Sequence, residues 1–182
     1  GSGKSSLLRL LNRLLEPTHG ELLVNGHQPA PAHTASLRRR VALLQQTPVI
    51  LAETVRANLL YADSFASEPV LPADQDDKHL RTDLDRVGLQ HIDLGDAAEP
   101  LSVGQRQRLA LARLLRSQPC ILLADEPTSA LDDESKRVVL ARLESLCVDS
   151  GMGVVLVTHQ RFTPARVTPR RLRLQDGKLQ DA

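Results

Sequence analysis

One short stretch limits the possible folds more than any other, because an apolar run in it ends abruptly in two carboxylates. Residues 120–124 read Cys-Ile-Leu-Leu-Ala, and Asp125 and Glu126 follow directly. Such a run is typical of a strand buried in a parallel sheet, and parallel sheets place their ligand sites at the carboxyl ends of their strands. Pro119, which cannot continue a helix, separates the run from the segment before it. The stretch therefore predicts an α/β fold with a polar site at Asp125 and Glu126.

The segment before this strand has the pattern of a capped, amphipathic helix. Ser102 is a good N-cap residue, and the positions after it give one apolar face at helical spacing: Leu109, Leu111, Ala112 and Leu115. We therefore predict a helix that begins at Ser102.

The rest of the chain alternates between short apolar runs and amphipathic segments. Strands are predicted at 21–24, 41–44, 120–124 and 153–158, with a terminal hairpin over 172–175 and 178–180. Helices are predicted from Ser5 to about Glu16 and over 54–59, 80–87 and 138–146, with a solvated loop over 62–79. This alternation favours an α/β core with a largely parallel sheet. We expect one domain over 1–182, with a helical lobe inserted at roughly 50–118.

Composition excludes several classes of function. The chain has 182 residues and a net charge of +1 from 23 basic and 22 acidic side chains, and aromatic residues are only 2%. Neither the net charge nor the aromatic content favours a nucleic-acid partner. The longest apolar runs have about five residues, far short of the ~20 that span a bilayer, so any transport would use another polypeptide.

The cysteines and most of the histidines are expected to have no chemical role. Cys120 and Cys147 lie in apolar patterns, which predicts two small core residues and a reducing cytosol. Five histidines lie in loops or on polar faces and are expected to be exposed: His19, His27, His33, His79 and His91.

Five motifs, in order along the chain, closely resemble those of the ATPase subunits of ATP-binding cassette (ABC) transporters. They are Gly1 to Ser6, Gln46, Leu101 to Gln105, Asp125-Glu126-Pro127 with Ser129 to Asp132, and His159. The resemblance covers almost the whole chain and implies a P-loop NTPase core. Gln46 is preferred over Gln45 because of its spacing to Pro48. Residues 160–169 depart from the family pattern, since their prolines shorten or remove the usual helix.

The first motif resembles the last part of a phosphate-binding P-loop. In the pattern G-x-x-x-x-G-K-[S/T], Gly3 takes the place of the second glycine, and the first glycine and the preceding strand are absent. We interpret the chain as a fragment truncated within the P-loop. The resemblance implies ATP contacts from the whole run: Gly1, Ser2, Gly3, Lys4, Ser5 and Ser6. By itself, the run is a weak signal that a simple Gly/Ser-rich terminus would also give, and the later motifs favour the P-loop.

The resemblance also implies how hydrolysis is carried out. Ser5, Gln46 and Asp125 are expected to hold Mg²⁺. Glu126 is the expected general base, and His159 is expected to contact the γ-phosphate and orient the attacking water. The structural alternative is that Asp125 and Glu126 only cap the following turn.

A second subunit is needed to complete the site in this family. The signature residues Ser102, Gly104 and Gln105 are expected to contact the ATP bound to the opposing subunit, and Asp132 to couple the two sites. Val103 occupies a position where the family usually has glycine, so it either weakens closure on ATP or points away. The alternative is an ordinary Ser-capped helix.

These features predict a Mg-ATP-hydrolysing subunit that forms a homodimer and powers a separate integral membrane permease. It would be cytoplasmic and peripheral on the inner face of the membrane. Residues 46–48 and 54–59 also resemble those of small stand-alone cassettes of metal-exporting permeases. Two alternatives stay open: a soluble ABC ATPase without a transport role, and a truncated remnant that does not bind ATP.

Overall fold

The computed structural model describes residues 3–24, 26–30, 33–51, 53–65 and 71–182. Its helices are α1 (Lys4–Leu11), α2 (Thr34–Arg40), α3 (Val55–Leu60), α4 (Asp77–Asp85), α5 (Val103–Arg116) and α6 (Asp133–Ser150). Its strands are β1 (Val41–Leu44), β2 (Ile121–Asp125), β3 (Gly153–Val157), β4 (Leu172–Gln175) and β5 (Lys178–Asp181). Short 3₁₀ turns span Asp63–Phe65 and Pro72–Gln75.

The central sheet is parallel, as predicted. Its order is β1-β2-β3, with Leu44 opposite Ala124 and Asp125 opposite Val157. Parallel neighbours require long crossovers, and helices supply them here. The register brings the carboxyl ends of all three strands to one edge of the sheet. The α/β fold with a largely parallel sheet is confirmed.

The two faces of the sheet have separate apolar cores, because alternate residues of a strand point to opposite faces. On one face Val41 and Leu123 pack with Leu8 of α1 and Leu37 of α2. On the other face a larger cluster joins strand residues to the helices of the inserted segment and to α6. This cluster includes Ala42, Leu44, Leu122, Ala124, Leu59, Leu84, Leu109, Leu111 and Leu143.

The helices expected between β1 and β2 are confirmed. Thr54 caps α3 by accepting a hydrogen bond from the Ala57 amide at 3.2 Å. Asp76 caps α4 in the same way through the His79 amide at 2.9 Å, and this hydrogen bond lowers the pKa of Asp76. Each cap satisfies a backbone donor that the helix leaves unpaired.

The loop predicted over 62–79 is only partly solvated in its described residues, 62–65 and 71–79. The side chains of Arg116 and Asp63 are 6% and 8% exposed, and their charged atoms lie 2.6 Å apart. Arg116 also lies 2.6 Å from Asp83 of α4. Burial by itself would lower the pKa of Arg116, but hydrogen bonds to the two carboxylates outweigh burial and raise it. This buried triad fixes the segment against α4 and α5.

Three local predictions were wrong. The strand over 21–24 is reduced to an isolated bridge between Val24 and His27, which exchange two backbone hydrogen bonds of 2.8 and 3.2 Å. Helix α1 ends at Leu11 instead of near Glu16, because the Arg13 backbone adopts a left-handed conformation with φ of 56°. Cys120 was expected in the core but is exposed, since it precedes β2.

Two other predictions, the terminal hairpin and the exposed histidines, are confirmed. The terminal hairpin forms between β4 and β5, with Leu172 opposite Asp181. Cys147 is half-buried, which raises the pKa of its thiol. The five histidines expected at the surface are exposed. In the described part of the chain, no helix combines the length and apolar character needed to cross a membrane.

Candidate functional site

The candidate site lies where the three parallel strands end. Gln46 follows the end of β1 by two residues, Glu126 follows β2 directly, and His159 follows β3 by two residues. Because the strands are parallel and in register, these side chains share one edge of the sheet. The structure therefore brings together polar residues from three distant parts of the sequence.

Asp125 is the most deeply placed acidic residue of this edge. It is 7% exposed, and its Oδ1 atom is buried without a hydrogen-bond partner in the described part of the chain. A buried carboxylate oxygen without a partner is costly unless a cation or a donor compensates it. Asp125 therefore fits the role of a cation ligand.

Glu126 has an unusual backbone conformation. Its φ is 46°, in the left-handed region that residues other than glycine rarely adopt. Its amide donates a hydrogen bond of 2.9 Å to the carbonyl of Val157, the last residue of β3. Backbone strain of this kind costs on the order of 1–3 kcal/mol and often occurs at functional sites. The hydrogen bond to β3 holds Glu126 in that conformation.

Glu126 and His159 form a close pair. Glu126 Oε1 lies 2.8 Å from His159 Nε2, and their side chains are 20% and 68% exposed. A carboxylate can only accept, so Nε2 carries the proton in this contact. The pair combines a proton acceptor with an imidazole that can orient it, which is compatible with general-base chemistry.

Gln46 reaches the same region through Ser129. Gln46 Nε2 donates to Ser129 Oγ at 3.2 Å, and Ser129 Oγ donates to the Glu126 carbonyl oxygen at 3.1 Å. The ligand atom that Gln46 could offer to a cation is therefore its other side-chain atom, Oε1. Together with Asp125, the edge presents oxygen donors of the kind that Mg²⁺ prefers.

The residues of the P-loop resemblance are only partly described. Gly1 and Ser2 lie outside the described residues. Gly3 has a φ of 85° and caps α1, which packs against β1 and β2. Lys4, Ser5 and Ser6 form the first turn of α1, where backbone amides favour an anion. Their roles toward phosphate stay predictions.

The helix predicted to begin at Ser102 is confirmed. Ser102 Oγ accepts from the Gln105 amide at 3.2 Å, and Gln105 Oε1 accepts from the Ser102 amide at 2.8 Å. This reciprocal capping box holds both side chains at the N-terminus of α5. Gln105 Nε2 also lies 3.3 Å from His91 Nε2.

Gly104 and Val103 differ sharply in their surroundings. A Cβ atom on Gly104 would lie 3.0 Å from Ser135 Oγ of α6, so close helix packing favours glycine there. Val103 is 43% exposed at the first position of α5. Whether Val103 affects closure on ATP stays a prediction.

Asp132 acts as the N-cap of α6. Its Oδ1 accepts from the Ser135 amide at 2.9 Å, and this hydrogen bond lowers the pKa of Asp132. Ser135 therefore contacts Asp132 and lies against Gly104. The coupling between subunits through Asp132 stays a prediction.

Sequence reasoning missed two residues near the site. They are Ser129, described above, and Gln107, which is 2% exposed and donates to the Gln45 carbonyl at 3.2 Å. Arg108, which belongs to the signature pattern, donates to the carbonyls of Gly104 and Gly88. A signal was available for Gln107, since it is a polar residue on the apolar side of α5. Ser129 lies inside a recognised motif, but the motif does not show that its hydroxyl joins two strand ends.

Comparisons with known proteins show the family of the chain. A family model described as "ABC transporter" matches residues 1–129. The chain is 38% identical over 183 residues to the methionine import ATP-binding protein MetN of Xanthomonas campestris pv. campestris, covering 98% of this chain and 53% of that protein. It is 35% identical over 192 residues to the ATP-dependent lipid A-core flippase of Ralstonia nicotianae, covering 100% of this chain and 31% of the flippase. The chain thus spans about half or less of the curated relatives it matches.

Solved structures show the same fold. The dimeric post-hydrolysis state of the ATP-binding cassette MJ0796, bound to ADP and Pi, superimposes with a TM-score of 0.77 at 30% identity. That match covers 87% of this chain and 71% of the cassette. CbiO1 from Clostridium perfringens, part of the transporter complex CbiONQ, has a TM-score of 0.75 at 24% identity over 87% of this chain and 63% of its own.

Proposed function

The chain belongs to the ABC transporter family, and on that premise we propose that it is an ATP-hydrolysing unit that powers a separate integral membrane permease. The observation that carries the proposal is the Glu126–His159 pair, whose 2.8 Å contact lies beside the buried carboxylate of Asp125. A base, an orienting imidazole and a cation ligand at one sheet edge are what phosphoryl transfer to water requires.

Asp125, Ser5 and Gln46 are the proposed residues for holding Mg²⁺. The unpartnered Oδ1 of Asp125 supports this, because a cation would compensate its burial. When bound, Mg²⁺ would neutralise charge that develops on the phosphates during transfer. The protein residues would contribute only a few oxygen atoms, as is usual for Mg²⁺ bound with a nucleotide.

Glu126 is the proposed general base. Its carboxylate would accept a proton from the attacking water, whose oxygen would bond to the γ-phosphorus of ATP while the bond to the ADP oxygen breaks. His159 would keep the carboxylate oriented through its Nε2 proton and contact the γ-phosphate when ATP is bound. The left-handed backbone of Glu126 supports this role, since it fixes the direction of the side chain.

The remaining proposed contacts divide between two subunits. Within one subunit, the phosphates would be held by Gly1, Ser2, Gly3, Lys4, Ser5 and Ser6. Across a homodimer, Ser102, Gly104 and Gln105 would approach the ATP of the opposing subunit, and Asp132 would couple the two sites. The capped N-terminus of α5 supports the second set, because its amides favour an anion.

The helical subdomain at roughly 50–118, inserted in a single cassette domain, is the proposed contact with the permease. Exposed apolar side chains support this, since Tyr61 and Leu71 are 46% and 66% exposed there and the adjacent Val49 is 62% exposed. The chain would then be cytoplasmic and peripheral on the inner face of the membrane. The names of these relatives, which describe import and a flippase, favour transport over a soluble role.

Phosphate release from Mg-ATP by the full-length protein tests the proposal. We expect release that EDTA abolishes and that rises more steeply than linearly with protein concentration, because a dimer completes each site. A permease that copurifies from membranes should alter the rate, whereas DNA and ribosomes should not. Absence of release by folded protein would favour the remnant alternative, and stimulation by DNA or ribosomes would favour the soluble one.

A further inference from the structure

Ser129 joins two strand ends through one hydroxyl group. It accepts a hydrogen bond from the Gln46 side chain at 3.2 Å and donates its own proton to the Glu126 carbonyl oxygen at 3.1 Å. Hydrogen bonds in series polarise one another, so the contact with Gln46 strengthens the contact with Glu126. Ser129 is therefore placed between a side chain that follows β1 and the backbone of the residue that follows β2.

Hydrogen bonds at both the amide and the carbonyl of Glu126 hold its backbone in place. Its amide donates to the Val157 carbonyl of β3 at 2.9 Å, and its carbonyl accepts from both the amide and the hydroxyl of Ser129, each at 3.1 Å. The left-handed φ of 46° needs such support, because a relaxed backbone would leave that region. Rotation of this backbone would turn the carboxylate away from His159 Nε2, which lies 2.8 Å from it.

From these contacts we propose that Ser129 is a positioning residue for the general base, and that it transmits the position of Gln46 to Glu126. The inference rests on the proposed ATPase function and deepens it. Ser129 acts through the backbone of Glu126 and touches no reacting atom. Its loss therefore lowers the rate of hydrolysis without weakening the binding of Mg-ATP.

The test is steady-state hydrolysis of Mg-ATP by the full-length protein carrying Ser129→Ala. We expect kcat to fall about 3- to 10-fold, with KM within about twofold of the wild-type value, since one hydrogen bond to the base is lost. Ser129→Thr keeps the hydroxyl and restores kcat to within about twofold. Combining Ser129→Ala with Gln46→Ala should lower kcat by less than the product of the two single effects, because both substitutions break the Gln46–Ser129 hydrogen bond.

The chain offers a matched control in Ser117. Its hydroxyl also donates to a carbonyl three residues earlier, that of Leu114, at 2.7 Å, but at the far end of α5. Ser117→Ala should leave kcat unchanged. An unchanged kcat in Ser129→Ala, a raised KM with unchanged kcat, or multiplying effects with Gln46→Ala would overturn the inference while the ATPase function stands. Absence of hydrolysis by the folded wild-type protein would overturn both.

Discussion

Replacing Glu126 by Gln should lower the turnover of Mg-ATP by about 10²-fold or more while ATP still binds. The substitution preserves the size of the side chain and its contact with His159, which lies 2.8 Å from the carboxylate, but removes the proton acceptor. Since binding depends on the phosphate contacts and not on the base, the dissociation constant for ATP should change by less than about threefold. Single-turnover hydrolysis and equilibrium binding, measured on the same preparation of full-length protein, separate the two effects.

Glu21→Gln is the control for this prediction. Glu21 is exposed, and it lies outside the sheet and the strand-end site. The control should hydrolyse ATP at the wild-type rate. If Glu126→Gln also keeps turnover within about threefold of wild type, Glu126 is not the general base.

Replacing Arg116 by Ala should lower the free energy of unfolding by about 3–5 kcal/mol. The reason is that Asp63 and Asp83 would lose their counter-charge while their side chains, only 8% and 18% exposed, stay largely shielded from water. Unfolding in urea, followed by circular dichroism, measures the loss. A second substitution, Asp63→Ala in the Arg116→Ala background, should recover part of it by removing one unpaired carboxylate.

Arg170→Ala is the matched control, since Arg170 pairs with Asp181 at the surface. Those side chains are 75% and 74% exposed, so the pair is screened by solvent. Its removal should change the free energy of unfolding by less than about 0.5 kcal/mol. Equal losses for Arg170→Ala and Arg116→Ala would show that the buried triad does not stabilise the lobe.

The parts of the fold that were predicted correctly depend on contiguous residues. The apolar run before Asp125 predicted β2, and Ser102 with the apolar face from Leu109 to Leu115 predicted the start of α5, because burial and capping follow from local patterns. The candidate site could be predicted for a related reason. Its residues follow strand ends, and a parallel sheet brings those ends together.

The predictions that failed depend on contacts between distant residues. No local pattern shows that Asp63 lies beside Arg116, and without that contact the segment resembles a solvated loop. Cys120 was placed in the core because an apolar neighbourhood does not show where a strand begins. The strand over 21–24 failed similarly, since a strand also needs a partner that its own sequence does not supply.

Close packing against α6 gives a second reason for the glycine at position 104, and the motif alone does not reveal it. The resemblance implied a contact with phosphate, whereas the structure also shows that a side chain there would crowd Ser135 of α6. The two reasons are compatible, because a close helix contact keeps the N-terminus of α5 in place. Glycine at this position therefore supports the fold as well as the proposed function.

Calorimetric titration of the full-length protein with Mg-ATP tests the central claim most directly, with Lys4→Ala as the comparison. We predict saturable binding of about one ATP per chain, and a dissociation constant raised about 10- to 100-fold in Lys4→Ala, because a charge-assisted contact with the phosphates is lost. Circular dichroism should show that both proteins are folded. Absence of saturable binding by the folded wild-type protein, or equal affinity in both proteins, would contradict the assignment of this sheet edge as an ATP site.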